Sequence, residues 1–318
     1  MVGKVRRNII PILILLIIFV FIIQPTVVSD GVFKGLKIWI NNIVPYLFPM
    51  SVLSNILLQY NFMYSLLQYF SFISEKIFKS KFAVIPYSIS FISGYPSGAI
   101  ATNIMAENKK ISVDEANKIL AFANLCSFQF IAGAVSHSML GEYSLYTYIA
   151  IPHYLGAIIL SSLYKKNNQN LTSRIINHNK NNFNEVFSSS IYKSVQSILS
   201  VGSVIVIFSV FSQFIINMLN SSEVFLSFNS NIKNIIFSLI IGSLEMTNGC
   251  SIIASSTVPY EIKLVIINFL ISFSGMSIIF QTIAVSTEFN LKLSTYLKSK
   301  FLLGVISSII CIIMLNTF

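Results

Sequence analysis

The chain reads as an all-α polytopic membrane protein, an inverted repeat with two re-entrant helical hairpins and two broken transmembrane helices. Three observations predict this. The 318 residues are 54% hydrophobic and 10% charged, with a mean hydropathy of +0.76; soluble domains carry about 25% charge. Long apolar stretches recur along the chain. Two short apolar hairpins with glycine-bearing tips sit at matching places in the two halves. An arm of roughly ten residues rises about 15 Å, half of a bilayer core of about 30 Å. Such arms enter a membrane without crossing it. Bare backbone at that depth is tolerated only inside protein or beside a water-filled cavity. Interrupted segments at corresponding positions of two halves point to a transporter's binding site.

Residues 1–35 are expected to form an N-terminal transmembrane anchor. Lys4, Arg6 and Arg7 precede the apolar run Ile9–Val28, which is longer than the 7–15 residues of a signal peptide and lacks a small-residue cleavage site. Residues 36–164 read as the first repeat. It comprises a span at Ile38–Leu58 kinked by Pro45 and Pro49, a surface-lying amphipathic helix at Phe62–Phe78, and a hairpin. The hairpin arms are Ala83–Phe91 and Ala99–Ala106, turning at Ser93-Gly94-Tyr95-Pro96-Ser97-Gly98. A broken span follows, Val113–Leu125 and Phe128–Leu140, opened by Ser112 and Glu115 as a capping box. Tyr143–Leu163 closes the repeat. Residues 165–193, rich in Asn, Ser and charge, read as a basic cytoplasmic loop.

Residues 194–318 repeat the order. Val195–Leu219 spans. The second hairpin runs Ile235–Ser243 and Cys250–Ala254, turning at Glu245-Met246-Thr247-Asn248-Gly249. Tyr260–Ile271 and Met276–Val285 form the second broken span, and Tyr296–Leu315 closes. Both closing spans begin with Thr-Tyr (Thr147-Tyr148, Thr295-Tyr296) and contain Leu-Gly (Leu155-Gly156, Leu303-Gly304). Each repeat crosses an odd number of times because its hairpin does not cross, so the copies are inverted.

Charge supports this path. With a cytoplasmic N-terminus, only Lys34, Lys37, Lys233 and Lys263 of the 21 Lys and Arg residues fall outside, as the positive-inside rule asks. The net charge of +10 is therefore a topology signal, and no nucleic-acid partner is expected. An integral protein of a bacterial cell membrane is, with lipid and a small-molecule solute as partners and the oligomeric state open. Cys126, Cys250 and Cys311 lie in apolar segments without ligand spacing; they read as small buried hydrophobes, and no metal site is expected.

Broken helices leave N–H groups and carbonyls free to bind solute. The candidate substrate-binding residues are those at the tips and breaks: Gly94, Tyr95, Pro96, Ser97 and Gly98; Asn124, Ser127 and Gln129; Thr247, Asn248 and Gly249; Ser272 and Ser274. Ser277 lies beside them. Glu245 is the coupling candidate, because a carboxylate at membrane depth costs about 2.5–3.5 kcal/mol on insertion scales. It would bind a proton or Na⁺, and no other cofactor is implied. No Ser–His–Asp order, HExxH or Walker pattern occurs, Asp114-Glu115 serves capping, and no enzyme is expected. Glu245 with His153 is the one catalytic pair on offer. Both His137 and His153 read more simply as buried, hydrogen-bonded structural residues. No Lys or Arg is expected at the midplane.

Three motifs carry a family likeness. Gly94-Tyr95-Pro96-Ser97-Gly98-Ala99, His153-Tyr154-Leu155-Gly156-Ala157 and Leu244-Glu245-Met246-Thr247-Asn248-Gly249 resemble the signatures of YlbJ-type sporulation integral membrane proteins, within the group bearing nucleoside-recognition (Gate) domains. The resemblance implies a role in endospore formation and a fold similar to concentrative nucleoside transporters, whose two hairpins and two broken helices form the substrate site. For the YlbJ type the implied substrate is dipicolinate, moved from the mother cell across the outer forespore membrane. Half-helix N-termini and hydroxyls suit the carboxylates of this flat aromatic dianion, and Tyr95 or a nearby Phe its ring. Glu245 has the wrong sign unless protonated, so co-moving protons or a bound cation would be needed. A neutral nucleoside avoids the difficulty and stays open as a substrate. So does a non-transporting assembly factor that binds partners through Phe62–Phe78 or Lys165–Lys193.

Overall fold

The structure, a computed structural model, describes residues 2–60, 69–164, 182–223, 227–286 and 289–317, and the regular elements among them are helices. The first helix, Val2–Ile23, ends at Gln24 ahead of Pro25. Proline has no N–H to continue the ladder and is at home in the first turn of a new helix. The chain accordingly bends by 97° there and re-enters a helix at Pro25. The sequence reading carried the first span to Val28 and left residues 29–37 as an outer loop; both are corrected. Pro25–Ile38 is helical and continues through a π-helical turn, Trp39–Ile43, into Val44–Gln59. The reason lies in Gly31-x-x-x-Gly35: these two glycines rest directly on Val206, Ser209 and Val210 of a facing helix, where a Cβ would overlap its backbone. Small residues at such spacing let membrane helices touch.

That facing helix is Phe183–Asn220, 38 residues long. It corrects a second expectation. Residues 183–193 are not loop but its first turns, with Val186, Ser190, Ser194 and Ile198 buried at intervals of one turn. Polar contacts fix this end: Gln59 Nε2 donates to Ser190 Oγ (2.6 Å) and Asn55 Nδ2 to Ser194 Oγ (2.8 Å). A polar composition suggested a loop, but these hydroxyls face another helix rather than water. Residues 165–181 of the expected loop and residues 62–68 of the expected surface helix lie outside the described residues; Ser71–Phe78 is helical.

The hairpins form as expected. The first has arms Val84–Ser93 and Ser97–Glu107. The second has arms Ser230–Leu244 and Met246–Ala254. Its turn is tighter than expected: Glu245 alone separates the arms, and Met246–Gly249 already belong to the return helix. Its outgoing arm is also longer, about 22 Å at helical rise. The first broken span is Val113–Ala123 and the π-helical Phe130–Met139, separated by extended backbone around Asn124–Ser127. The second is Tyr260–Phe273 and Gly275–Val285, broken at Ser274 and Gly275, both with left-handed backbone (φ 72° and 73°). Thr147–Ser162 and Leu293–Thr317 close the two halves.

Two buried clusters interlock. One joins the second hairpin (Met246, Cys250, Ile253) and the start of the second broken span (Leu264–Ile271) to the far half of the first, at Phe130–Val135. The other joins the first hairpin (Ile85, Ile89, Ala99) and the start of the first broken span (Ile119–Leu125) to the far half of the second, at Ile279. Each hairpin therefore packs on its own broken span and on the end of the other. An inverted pair produces this exchange. Outside these clusters, apolar side chains such as Leu15, Phe19 and Ile22 are exposed, as on a lipid-facing surface.

Candidate functional site

Both tips, the first break and the far half of the second broken span meet around one small cavity. Ser93, Gly94 and Tyr95 from the first tip, Ser127 from the first break and Glu245 and Thr247 from the second tip line it. Gln281 of the second broken span, and Leu47 and Ile205 from the two long helices, complete the wall. Its volume is about 40 Å³, room for about three waters at the 10–15 Å³ each requires. The Ser93 hydroxyl is buried there without a partner.

The second tip is a helix N-terminus closed by a carboxylate. Glu245 takes extended backbone (φ −142°, ψ 114°) and its Oε2 accepts from the Asn248 N–H at 2.8 Å. This is an N-cap, and an anion there also meets the positive end of the helix dipole. Glu245 is 2% exposed. At the close contact of the two arms, a Cβ on Gly249 would lie 2.3 Å from Gly242 Cα.

The first break has the opposite need, with unpaired carbonyls at the C-terminal end of Val113–Ala123. Side chains from three elements supply donors. Ser90 Oγ donates to Ala123 O (2.6 Å) and Tyr154 OH to Cys126 O (2.9 Å). The Lys300 ammonium donates to Asn124 O. Within the break, Ile131 N donates to Ser127 O (3.2 Å). Asn124 Nδ2 in turn donates to Thr282 Oγ1 (2.9 Å) and Tyr296 OH (3.1 Å), tying this break to the second half. Gly98 is required where the return arm crosses the break, since a Cβ there would lie 2.6 Å from Ala123 O.

Lys300 is the residue the sequence reading missed. It was assigned to a cytoplasmic segment, and no cation was expected at the midplane. Instead Lys300 is 0% exposed, and its Nζ lies 5.1 Å from the Tyr95 ring centroid and 5.7 Å from that of Tyr296. No described carboxylate pairs with it. Tyr95 separates it from the cavity, so the ammonium stands one side chain behind the wall. The available signal was its place seven residues inside the apolar helix Leu293–Thr317, about 10 Å along the axis.

The halves are tied by two further bonds. His153 Nε2 accepts from Cys126 N (3.2 Å) while Nδ1 meets Ser272 Oγ (2.7 Å), so one buried imidazole joins both breaks. Tyr95 OH donates to Ile271 O (3.2 Å), joining the first tip to the second broken span. His153 thus takes the structural role expected of it. Both its nitrogens are occupied and Glu245 caps a helix, so the two do not form the catalytic pair considered above.

Of the candidate residues, Gly94, Tyr95, Ser127, Glu245 and Thr247 line the cavity. Pro96, Ser97, Gly98 and Gly249 shape the tips behind it. Asn124, Ser272 and Ser274 form the layer outside the wall, and Gln129 immediately precedes the π-helical segment. Asn248 faces a different cavity, with its Oδ1 accepting from Ser209 Oγ at 3.0 Å.

The comparisons agree with this architecture. No protein-family model matches the chain. Over 310 aligned residues it is 24% identical to the sporulation integral membrane protein YlbJ of Bacillus subtilis (strain 168), covering 86% of this chain and 74% of the relative. A solved structure of a doubly substituted CNTnw, a concentrative nucleoside transporter, in an outward-facing state superposes with a TM-score of 0.64 over 99% of this chain and 86% of that one, at 13% identity. The resemblance to YlbJ-type proteins carried by the three motifs is borne out, and the fold is that of the transporter.

Proposed function

We propose that this protein is a secondary transporter of a small anionic solute, with dipicolinate leaving the mother cell across the outer forespore membrane as its substrate. The observation that carries the reading is the convergence of both tips, the first break and the far half of the second broken span on one cavity lined by Glu245, with Lys300 one side chain away. The relative named as a sporulation membrane protein supports the setting, and the fold of a nucleoside transporter supports the activity.

The chemistry is a pairing of opposite ends. Helix N-termini and hydroxyls of Ser93, Ser127 and Thr247 receive carboxylate oxygens, Tyr95 offers a ring face, and Lys300 supplies the positive charge that a dianion needs. Glu245 takes up a proton or Na⁺ and so removes the like charge that would oppose the solute. A cavity of about 40 Å³ is far below the 300–1,000 Å³ of small-molecule sites, so the solute enters only when one half moves against the other. The test is flux into proteoliposomes. Labelled dipicolinate accumulates with wild-type protein and not with Glu245→Gln; uridine uptake with no dipicolinate uptake would transfer the reading to nucleosides, and neither would leave an assembly role.

A further inference from the structure

We propose a second solute site, a cationic vestibule between the helix pair Pro25–Ile38 and Phe183–Asn220 and the second hairpin, which takes a carboxylate anion before or after it occupies the central cavity. Its anion preference rests on the substrate class proposed above. The cavity there has a volume of about 400 Å³, inside the range of small-molecule sites and ten times that of the central one. Lys34 and Lys37 line it, and among the described residues no acidic side chain does. Both stand on the helix Pro25–Ile38, in the stretch that the sequence reading took for a loop. Lys34 Nζ is held by a neutral acceptor, Gln213 Oε1 at 2.5 Å, which orients the ammonium without neutralising it.

Asn248 supplies the second observation. It is 4% exposed and lines the vestibule, and its Nδ2 has no partner. A buried unpaired donor costs about 1–3 kcal/mol; the amide is sealed from the vestibule in this state, and a carboxylate oxygen reaches it only as the turn opens. Ser251 and Ser255, one and two turns further along the same return helix, add hydroxyls to the wall. Asn248 is also the residue whose backbone N–H the Glu245 carboxylate caps. The turn Glu245–Asn248 is thus the partition between the vestibule and the central cavity, with a carboxylate on one side and a free amide donor on the other. An anion bound at Asn248 draws on the same turn that Glu245 holds closed, which couples occupancy of the vestibule to opening of the partition.

The test uses the full chain in phosphatidylcholine nanodiscs. A membrane-impermeant acetylating reagent marks accessible lysines, read by mass spectrometry with 5 mM dipicolinate (about a saturating level for a Kd below 1 mM), with uridine, or with added phosphatidylglycerol. Dipicolinate is expected to slow labelling of Lys34 and Lys37 at least fivefold while leaving Lys292 unchanged. Binding of labelled dipicolinate is expected to weaken at least tenfold in Lys34→Gln/Lys37→Gln and in Asn248→Asp, and to return in Lys34→Arg/Lys37→Arg. Equal protection by uridine, protection by phosphatidylglycerol alone, or unchanged binding in both weakened variants overturns the site. Flux with no protection refutes the vestibule and leaves the transporter; protection without flux does the reverse.

Discussion

The two tips solve opposite electrostatic problems. At the second, a return helix begins with free N–H groups, and Glu245, one residue earlier, closes them with a carboxylate. At the first, a helix ends with free carbonyls at the break beside the tip, and Lys300, from the other end of the chain, reaches one of them with an ammonium. Each charge meets the helix end of opposite polarity. The acid is local in sequence and the base is not: Glu245 lies three residues from its donor, whereas Lys300 is 176 residues from its acceptor. A single buried charge at this depth is costly. Here each is offset by a helix end, so the pair is retained without forming a salt bridge.

The largest effect is expected at the non-local end. Lys300→Met leaves the Asn124 carbonyl buried without its donor, a loss of about 1–3 kcal/mol, and removes the cation behind the wall. Dipicolinate flux should fall to background and the melting temperature in detergent should drop; a variant that transports normally would end the proposed role of the ammonium. Glu245→Gln tests the other end. The amide oxygen still accepts from Asn248, so stability should change little while flux falls at least tenfold. If stability and flux fell together, Glu245 would be a cap and nothing more. Ser272→Ala removes one of the bonds that tie the breaks, and should cost about 0.5–1.5 kcal/mol in thermal unfolding with flux reduced less than in either charge variant. The smallest effect belongs at the exposed pair Asp114–Lys292 (2.8 Å). Lys292, by its hydrogen bond and its charge, holds the Asp114 carboxyl below its usual range. Any contribution is therefore present at neutral pH and lost as pH falls through that depressed value. Asp114→Asn should shift the melting temperature within error, and should abolish whatever acid dependence this pair gives.

The local half of the comparison was legible in the sequence and the distant half was not. Gly-Tyr-Pro and Glu-x-Thr-x-Gly mark tips because turns and caps are set by neighbours a few residues apart. Ser112 and Glu115 behave likewise: Ser112 Oγ accepts from the Glu115 N–H at 3.2 Å, although the Glu115 carboxylate turns instead to Ser80 (2.6 Å). Apolar stretches gave the spans, but the helix at 183–193 was hidden, since Ser190 and Ser194 look like loop residues until Gln59 and Asn55 are placed beside them. The glycine pair at 31 and 35 was hidden for the same reason. Lys300 was misread because a positive-inside count treats every Lys as surface charge; its place inside an apolar helix was a signal of burial, but only the fold brings its amine to a carbonyl in the other half.

The meeting of the tips is the claim from which the rest follows, and a proximity measurement tests it directly. In a background with Cys126, Cys250 and Cys311 replaced by Ala, cysteines at Ser93 and Thr247, one from each tip, are exposed to a short bismaleimide in native membranes. The account predicts efficient intramolecular cross-linking, blocked by saturating dipicolinate. Separate labelling of the two cysteines, with both quenched by lipid-soluble probes, would place the tips apart and facing lipid, and would contradict it.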